Sequence, residues 1–190
     1  MNSDEALMLE FQKGSRAAFE ELYTRYQGPL YGFFRRRLDS CERAEDLAQE
    51  TFLVVIRRAS RYEPRALVRT YLYAIALKLL ANERRKSREV PADETTGEPG
   101  SPPVQETSHW IREALGQLGP SEREILMLRE YEQLTYSEIS QLLRLPVNTV
   151  RSRLFRARMA LKEKLAVQRA SSQPLIVASD RPANPATEEA

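Results

Sequence analysis

The chain has 190 residues, 42% of them hydrophobic and 29% charged, and its 29 Lys and Arg against 27 Asp and Glu leave a net charge of +2. That composition suits an ordinary soluble protein with one or two small cores and excludes wholesale disorder. No apolar run approaches the roughly 18 residues of a membrane span, and Asp4 and Glu5 stand where a secretory signal would carry cations, so the chain is expected to stay in the cytoplasm, off the membrane.

Ser3 predicts an N-cap, with Asp4 and Glu5 suiting the positive end of a first short helix that Gly14 stops. From Ser15, an apolar stripe of Phe19, Leu22, Tyr23, Tyr26, Leu30, Phe33 and Phe34 predicts a helix to Leu38, bent or split at Gly28-Pro29. Ser40 and Glu42 open a third helix. Its Ala44, Leu47, Ala48, Thr51, Val54 and Val55 turn inward, which leaves Asp46, Gln49, Glu50 and Leu53 as one outward patch.

Pro64 breaks the pattern, so residues 60–64 read as a loop. A fourth helix follows from about Arg65 to Arg88, apolar on more than one side and therefore central to its bundle. The stretch Arg57 to Arg88 holds ten cations and two acids, whereas Glu89 to Ser108 holds five acids and no Lys or Arg. Residues 89–107, with four prolines and two glycines, read as a flexible linker. At 19 residues its random-coil span is roughly 25 Å, which predicts two halves that tumble semi-independently.

A short helix over 109–118 is expected next, then one begun by Pro120-Ser121 with a capping box between Ser121 and Glu124. A second capping box, Thr135 with Glu138, starts a helix carrying Ile139, Leu142 and Leu143 inward. Leu145-Pro146 ends that helix and restarts the chain as a long basic one, whose Val147, Val150, Leu154, Ala157, Leu161 and Leu165 form a single apolar stripe. Its other side presents Asn148, Thr149, Arg151, Ser152, Arg153, Phe155, Arg156 and Arg158. Short polar groups at the helix start, guanidiniums for guanine and further cations for phosphate are what a recognition helix in a major groove needs. Beyond Val167 a Ser-, Ala- and Pro-containing tail is expected to be disordered.

Three runs together carry a resemblance: Ala44 to Phe52 (AEDLAQETF), Leu118 to Glu124 (LGPSERE), and Tyr136 to Ser140 with Asn148 to Arg158 (YSEIS, NTVRSRLFRAR). In this order around a linker they resemble the bacterial RNA polymerase sigma factors of the extracytoplasmic-function (ECF) group in the sigma-70 family, over about Phe19 to Leu165. The resemblance implies an all-α fold of two small helical domains. These are a region-two bundle at 1–88 and a region-four helix-turn-helix at 108–167, with the linker at 89–107 and the tail at 168–190.

It also implies a promoter-specificity subunit. Asp46, Gln49, Glu50 and Leu53 would bind the clamp region of the polymerase core. Arg61, Tyr62, Arg65, Tyr71, Lys78, Arg84 and Arg85 would hold the melted minus-10 element, and the physical reading agrees, since aromatic faces and cations suit single strands. Asn148, Thr149, Arg151, Ser152, Arg153 and Arg156 would read the duplex minus-35 element. An anti-sigma protein is an optional further partner. The fourth helix departs from the family, with Tyr71-Leu72 for its usual Trp-Leu, Ala76-Leu77-Lys78 for Ala-Arg-Asn and Asn82 for Asp.

Two other readings compete. A transcriptional regulator binding duplex DNA through the helix-turn-helix without polymerase would leave the basic block and the Asp46/Gln49/Glu50 patch without a job. An enzyme using Asp46 and Glu50 as an acid/base pair would lack any nucleophile, metal set or phosphate cradle beside them. With Cys41 the one cysteine and His109 the one histidine, no disulfide or Cys/His zinc site can be built within the chain, and no metal, cofactor or catalytic activity is expected.

Overall fold

The hydroxyls of Ser3, Ser15 and Ser40 each accept a hydrogen bond from the backbone N–H three residues on, at 3.2, 3.3 and 3.1 Å, and so start the first three helices. These are α1 (Asp4–Gln12), α2 (Arg16–Arg35) and α3 (Cys41–Arg58); a 3-10 turn over Ala59–Arg61 and α4 (Val68–Glu89) complete the N-terminal half. The C-terminal half holds a helical stretch at 113–116, then α5 (Pro120–Glu130), α6 (Tyr136–Leu143) and α7 (Val147–Ser172). The structure is a computed structural model and describes residues 2–64, 67–89, 111 and 113–172, among which every regular element is helical.

Gly14 stands at φ +98°, where a side chain would be strained, and lets the chain reverse from α1 into α2. α2 does not split at Gly28-Pro29. Both residues lie on its exposed side, so the carbonyl that the proline leaves without a helical partner can be solvated. Leu7, Met8, Leu30, Phe33, Phe34, Leu47 and Leu80 interlock α1 to α4 with side chains below 2% exposed, each contributing about 1.5–3 kcal/mol of burial. In the other half Ile125, Leu128, Leu134, Ile139 and Leu154 play the same part.

Some local expectations shift. The start of α5 is capped by the Gly119 backbone with Pro120 in its first turn, and no side chain caps it. The Ser121/Glu124 box does not form because the proline fixes the helix start earlier and Glu124 is drawn to Arg37. Val147, expected in the core, is 39% exposed at the mouth of the turn. The last helix runs past Val167 to Ser172. Residues 90–107 of the expected linker, and 173–190 of the expected tail, lie outside the described residues.

The two halves pack against each other, contrary to the expectation that they move apart freely. Arg37, its side chain 1% exposed, reaches Glu124 at 2.9 Å and Glu132 at 3.1 Å, while Arg36 grips both oxygens of Glu132 at 3.0 and 2.9 Å. Arg69 of α4 forks onto Glu138 of α6 at 2.6 and 2.9 Å, and the Tyr73 hydroxyl donates to Glu132. A linker sets only how far two units can separate; the charges decide where they rest.

Candidate nucleic-acid interface

α3 is amphipathic, and what it does not bury is the first candidate surface. Asp46, Gln49 and Leu53 are exposed and Glu50 is half-buried, so the expected outward patch is present as one face. Sequence reasoning missed Ile56, 46% exposed and one turn beyond Leu53, which itself is 48% exposed. Asp46 is steadied by Arg43 at 3.4 Å, and Arg43 also binds Glu83 of α4 bidentately at 2.6 and 2.7 Å. That pairing holds the Glu83 carboxyl below its ordinary range and the Arg43 guanidinium well above its own. A groove of about 480 Å³ adjoins the patch, lined by Tyr23, Gln27, Pro29, Tyr31, Gln49 and Phe52. The exposed Gly28-Pro29 step, the one sequence signal for it, reads only as a kink.

The second surface is built around the loop before α4, and α1 holds that loop. The Gln12 amide donates to the carbonyls of Ala59 and Tyr62 at 2.6 and 2.7 Å, and the Glu5 carboxylate accepts from the Val68 N–H at 3.1 Å, capping α4 across the bundle. Tyr62 is 7% exposed with its ring 5.4 Å from that of Tyr71, and burial pushes both phenols up. So Tyr62 presents no open stacking face in this arrangement, because α1 and Tyr71 cover it. Arg61, Lys78, Arg84 and Arg85 are exposed, Tyr71 is half-buried, and Arg65 lies outside the described residues.

The third surface belongs to α6 and α7. Thr135 and Glu138 form the expected capping box, the Thr135 hydroxyl accepting from the Glu138 N–H while the Glu138 carboxylate accepts from the Thr135 N–H. Burial pushes that carboxyl up, but the hydrogen bonds from Arg69 and Thr135 outweigh it and leave it below the usual range. Arg144 ends α6 at φ +54°, the left-handed conformation, and the Ser140 hydroxyl donates to the Leu145 carbonyl at 2.5 Å, fixing the turn. Val150, Leu154 and Ala157 anchor α7, whose free side shows Asn148, Arg151, Ser152 and Arg156 exposed and Thr149 and Arg153 half-buried. Phe155 is 64% exposed in the middle of that side.

A capped helix, a fixed tight turn and a basic second helix with an open polar face are the geometry of a DNA-reading helix-turn-helix. Here it sits beside a four-helix bundle with its own cationic helix. The family model for sigma-70 region 2 matches residues 22–90 and that for sigma-70 region 4 matches residues 108–161. Sigma factor CarQ of Myxococcus xanthus is 34% identical over 165 residues, covering 83% of this chain and 95% of that protein. The ECF RNA polymerase sigma-E factor of Escherichia coli K12 is 32% identical over 192 residues, covering 92% and 96%. The chain belongs to the sigma-70 family, in its ECF group.

The RNA polymerase sigma-H factor of Pseudomonas aeruginosa agrees, at 31% identity over 180 residues and coverage of 85% of this chain and 93% of that one. Among solved structures, CnrH in complex with the cytosolic domain of CnrY superposes with a TM-score of 0.68 over 90% of this chain and 100% of that chain; at 22% identity this speaks for the fold alone. The bundle is thus this sigma factor's region 2 and the helix-turn-helix its region 4. Among the described residues no group of His, Cys, Asp and Glu could hold a metal ion, and no helix is long and apolar enough to cross a membrane.

Proposed function

We propose that this sigma factor directs the bacterial RNA polymerase core to particular promoters and helps open them, acting in the cytoplasm without catalysing a reaction of its own. Asp46, Gln49, Glu50 and Leu53 dock on the clamp region of the core, with Ile56 extending the apolar part of the contact. Arg61, Arg65, Tyr71, Lys78, Arg84 and Arg85 hold the melted minus-10 strand, and Tyr62 joins them once it leaves its place under α1. Asn148, Thr149, Arg151, Ser152, Arg153 and Arg156 face the minus-35 duplex. An anti-sigma protein, as in the complex of the sigma factor RpoE with the anti-sigma factor NepR from Bartonella quintana, is a further partner for these surfaces.

The observation that carries this reading is the open α3 patch on the same chain as two separated cationic surfaces. A regulator that binds only duplex DNA needs the last surface and has no use for the other two. The chemistry fits as well: a mixed acidic and apolar patch suits a basic protein partner, whereas strongly cationic helices suit polyanions. Run-off transcription with purified core polymerase on a genomic fragment library tests it. Discrete start sites that need both core and this chain are the expected result; duplex binding that is unchanged by core, with no transcript, would overturn it.

A further inference from the structure

Pro64, Arg65, Ala66 and Leu67 carry no side-chain oxygen, so none of them can cap the start of α4 with a side chain. The cap comes instead from α1, 63 positions earlier, where the Glu5 carboxylate accepts from the Val68 N–H at 3.1 Å. At the other end of the same loop the Gln12 amide donates to the carbonyls of Ala59 and Tyr62, at 2.6 and 2.7 Å. α1 therefore grips the chain both where it leaves α3 and where it enters α4.

α1 is itself fixed by contacts that do not involve the loop. Leu7 and Met8 are 1% and 0% exposed in the bundle core, and Asp4 accepts from Arg25 at 2.5 Å and from the Tyr26 hydroxyl. Glu5 and Gln12 lie two turns apart on one face of this helix, about 10 Å along its axis, so their spacing is set by helix geometry. Both bond to backbone atoms. The side chains of Arg61 and Tyr62 can turn without breaking these bonds, while the backbone that carries them stays in place. A loop ordered before its ligand arrives spends no binding free energy on ordering itself, and contacts that choose between ligands need placement to within about 0.5 Å.

From this we propose that Gln12 and Glu5 are positioning residues for the minus-10 site: acting through the Ala59 and Tyr62 carbonyls and the Val68 N–H, they set which unpaired base the loop accepts. This rests on the promoter reading above and goes beyond it, by placing part of the base selectivity on two side chains that the loop does not supply. Neither is a cation. Their loss leaves the attraction to phosphates intact and shows in base selection.

The test assembles the full chain with core polymerase and offers it a pool of duplexes carrying a randomised single-stranded bubble. Sequencing the bound fraction gives the base preference at each unpaired position. Gln12→Glu keeps the shape of the side chain but has no N–H to donate, and it should lower the preference at adjacent positions by about fivefold or more, the lower end of what one base contact discriminates. The other positions should keep theirs. Gln12→Lys, which regains a donor, should recover the preference. At the other end of the loop Glu5→Ala should act like Gln12→Glu and quicken amide exchange at Val68, whereas Glu5→Gln, which keeps an accepting oxygen, should match the parent. Should Gln12→Glu melt early, the Glu5 pair decides by itself. Loss of preference spread evenly over the bubble in step with lost thermal stability, or unchanged preference in Gln12→Glu and Glu5→Ala alike, would overturn the proposal. A parent that selects no base at any position would sink the promoter reading, and this proposal with it.

Discussion

Arg43 of α3 and Glu83 of α4 face each other as a two-pronged pair, 2.6 and 2.7 Å apart, and the same guanidinium leans on Asp46 at the head of the proposed polymerase-binding patch. One arginine thus joins the bundle's framework to its docking face. Arg43→Ala is expected to cost about 1 kcal/mol, the upper end for a partly exposed pair. It should also loosen Asp46 and weaken core binding, whereas Arg43→Lys, a point charge without the fork, should recover only part of both. Urea denaturation beside core-binding titrations checks the pairing of effects.

The docking face itself predicts a separation of stability from binding. Asp46→Ala with Gln49→Ala should move stability by less than about 0.5 kcal/mol, since both side chains are exposed. Leu53→Ala and Ile56→Ala should behave alike in stability yet each cost more than about 1 kcal/mol of core-polymerase affinity, as central apolar contacts do. Co-purification with core polymerase, alongside thermal melting, reads both. A double mutant that binds core like the parent would leave the patch as nothing more than a solvated face.

On α7, side chains two positions apart, and so on opposite faces, have opposite jobs. Leu154 is 1% exposed, so Leu154→Ala should destabilise region 4 by about 2–5 kcal/mol. Arg156→Ala should leave stability alone and weaken minus-35 binding by about 1–3 kcal/mol, relaxing preference at one base pair. Binding measured on a panel of single-base variants distinguishes base reading from phosphate contact, because a phosphate contact loses affinity equally on every sequence.

Acid should loosen the molecule through identified carboxylates. Glu138 and Glu83 are both held below the ordinary carboxylate range, so their contribution is complete above the unfolded value of about 4.3 and is lost as pH falls through the lower folded values. Urea midpoints should therefore drop between pH 6 and pH 3, and Glu138→Gln should flatten part of that slope. A slope identical in parent and variant would show that Glu138 titrates normally.

Helix starts were legible because their chemistry is local. Ser3, Ser40 and Thr135 cap where the hydroxyl sits one turn from the N–H it accepts, and the apolar stripe of α7 followed from spacing alone over Val150, Leu154 and Ala157. What spacing cannot show is a partner far along the chain. Arg37 and Glu132 are 95 positions apart, and nothing in the runs Arg35-Arg36-Arg37 or Glu130-Tyr131-Glu132 announces that they meet. Tyr62 illustrates the same point: a tyrosine in a polar loop reads as an exposed ring until Gln12, 50 positions earlier, is seen holding its carbonyl. The outward residues of α3 were readable as a face, but its extension to Ile56 depended on where the bundle's core stops.

Glu138 serves two structures at once, as cap of α6 and as the seat of Arg69. Were Arg69 to leave, the carboxylate would still hold the Thr135 N–H and hydroxyl, so departure strands no bare buried charge and the helix-turn-helix keeps its first turn. The first turn of the helix-turn-helix is therefore held by region 4's own residues, and only the seam with region 2 draws on Arg69.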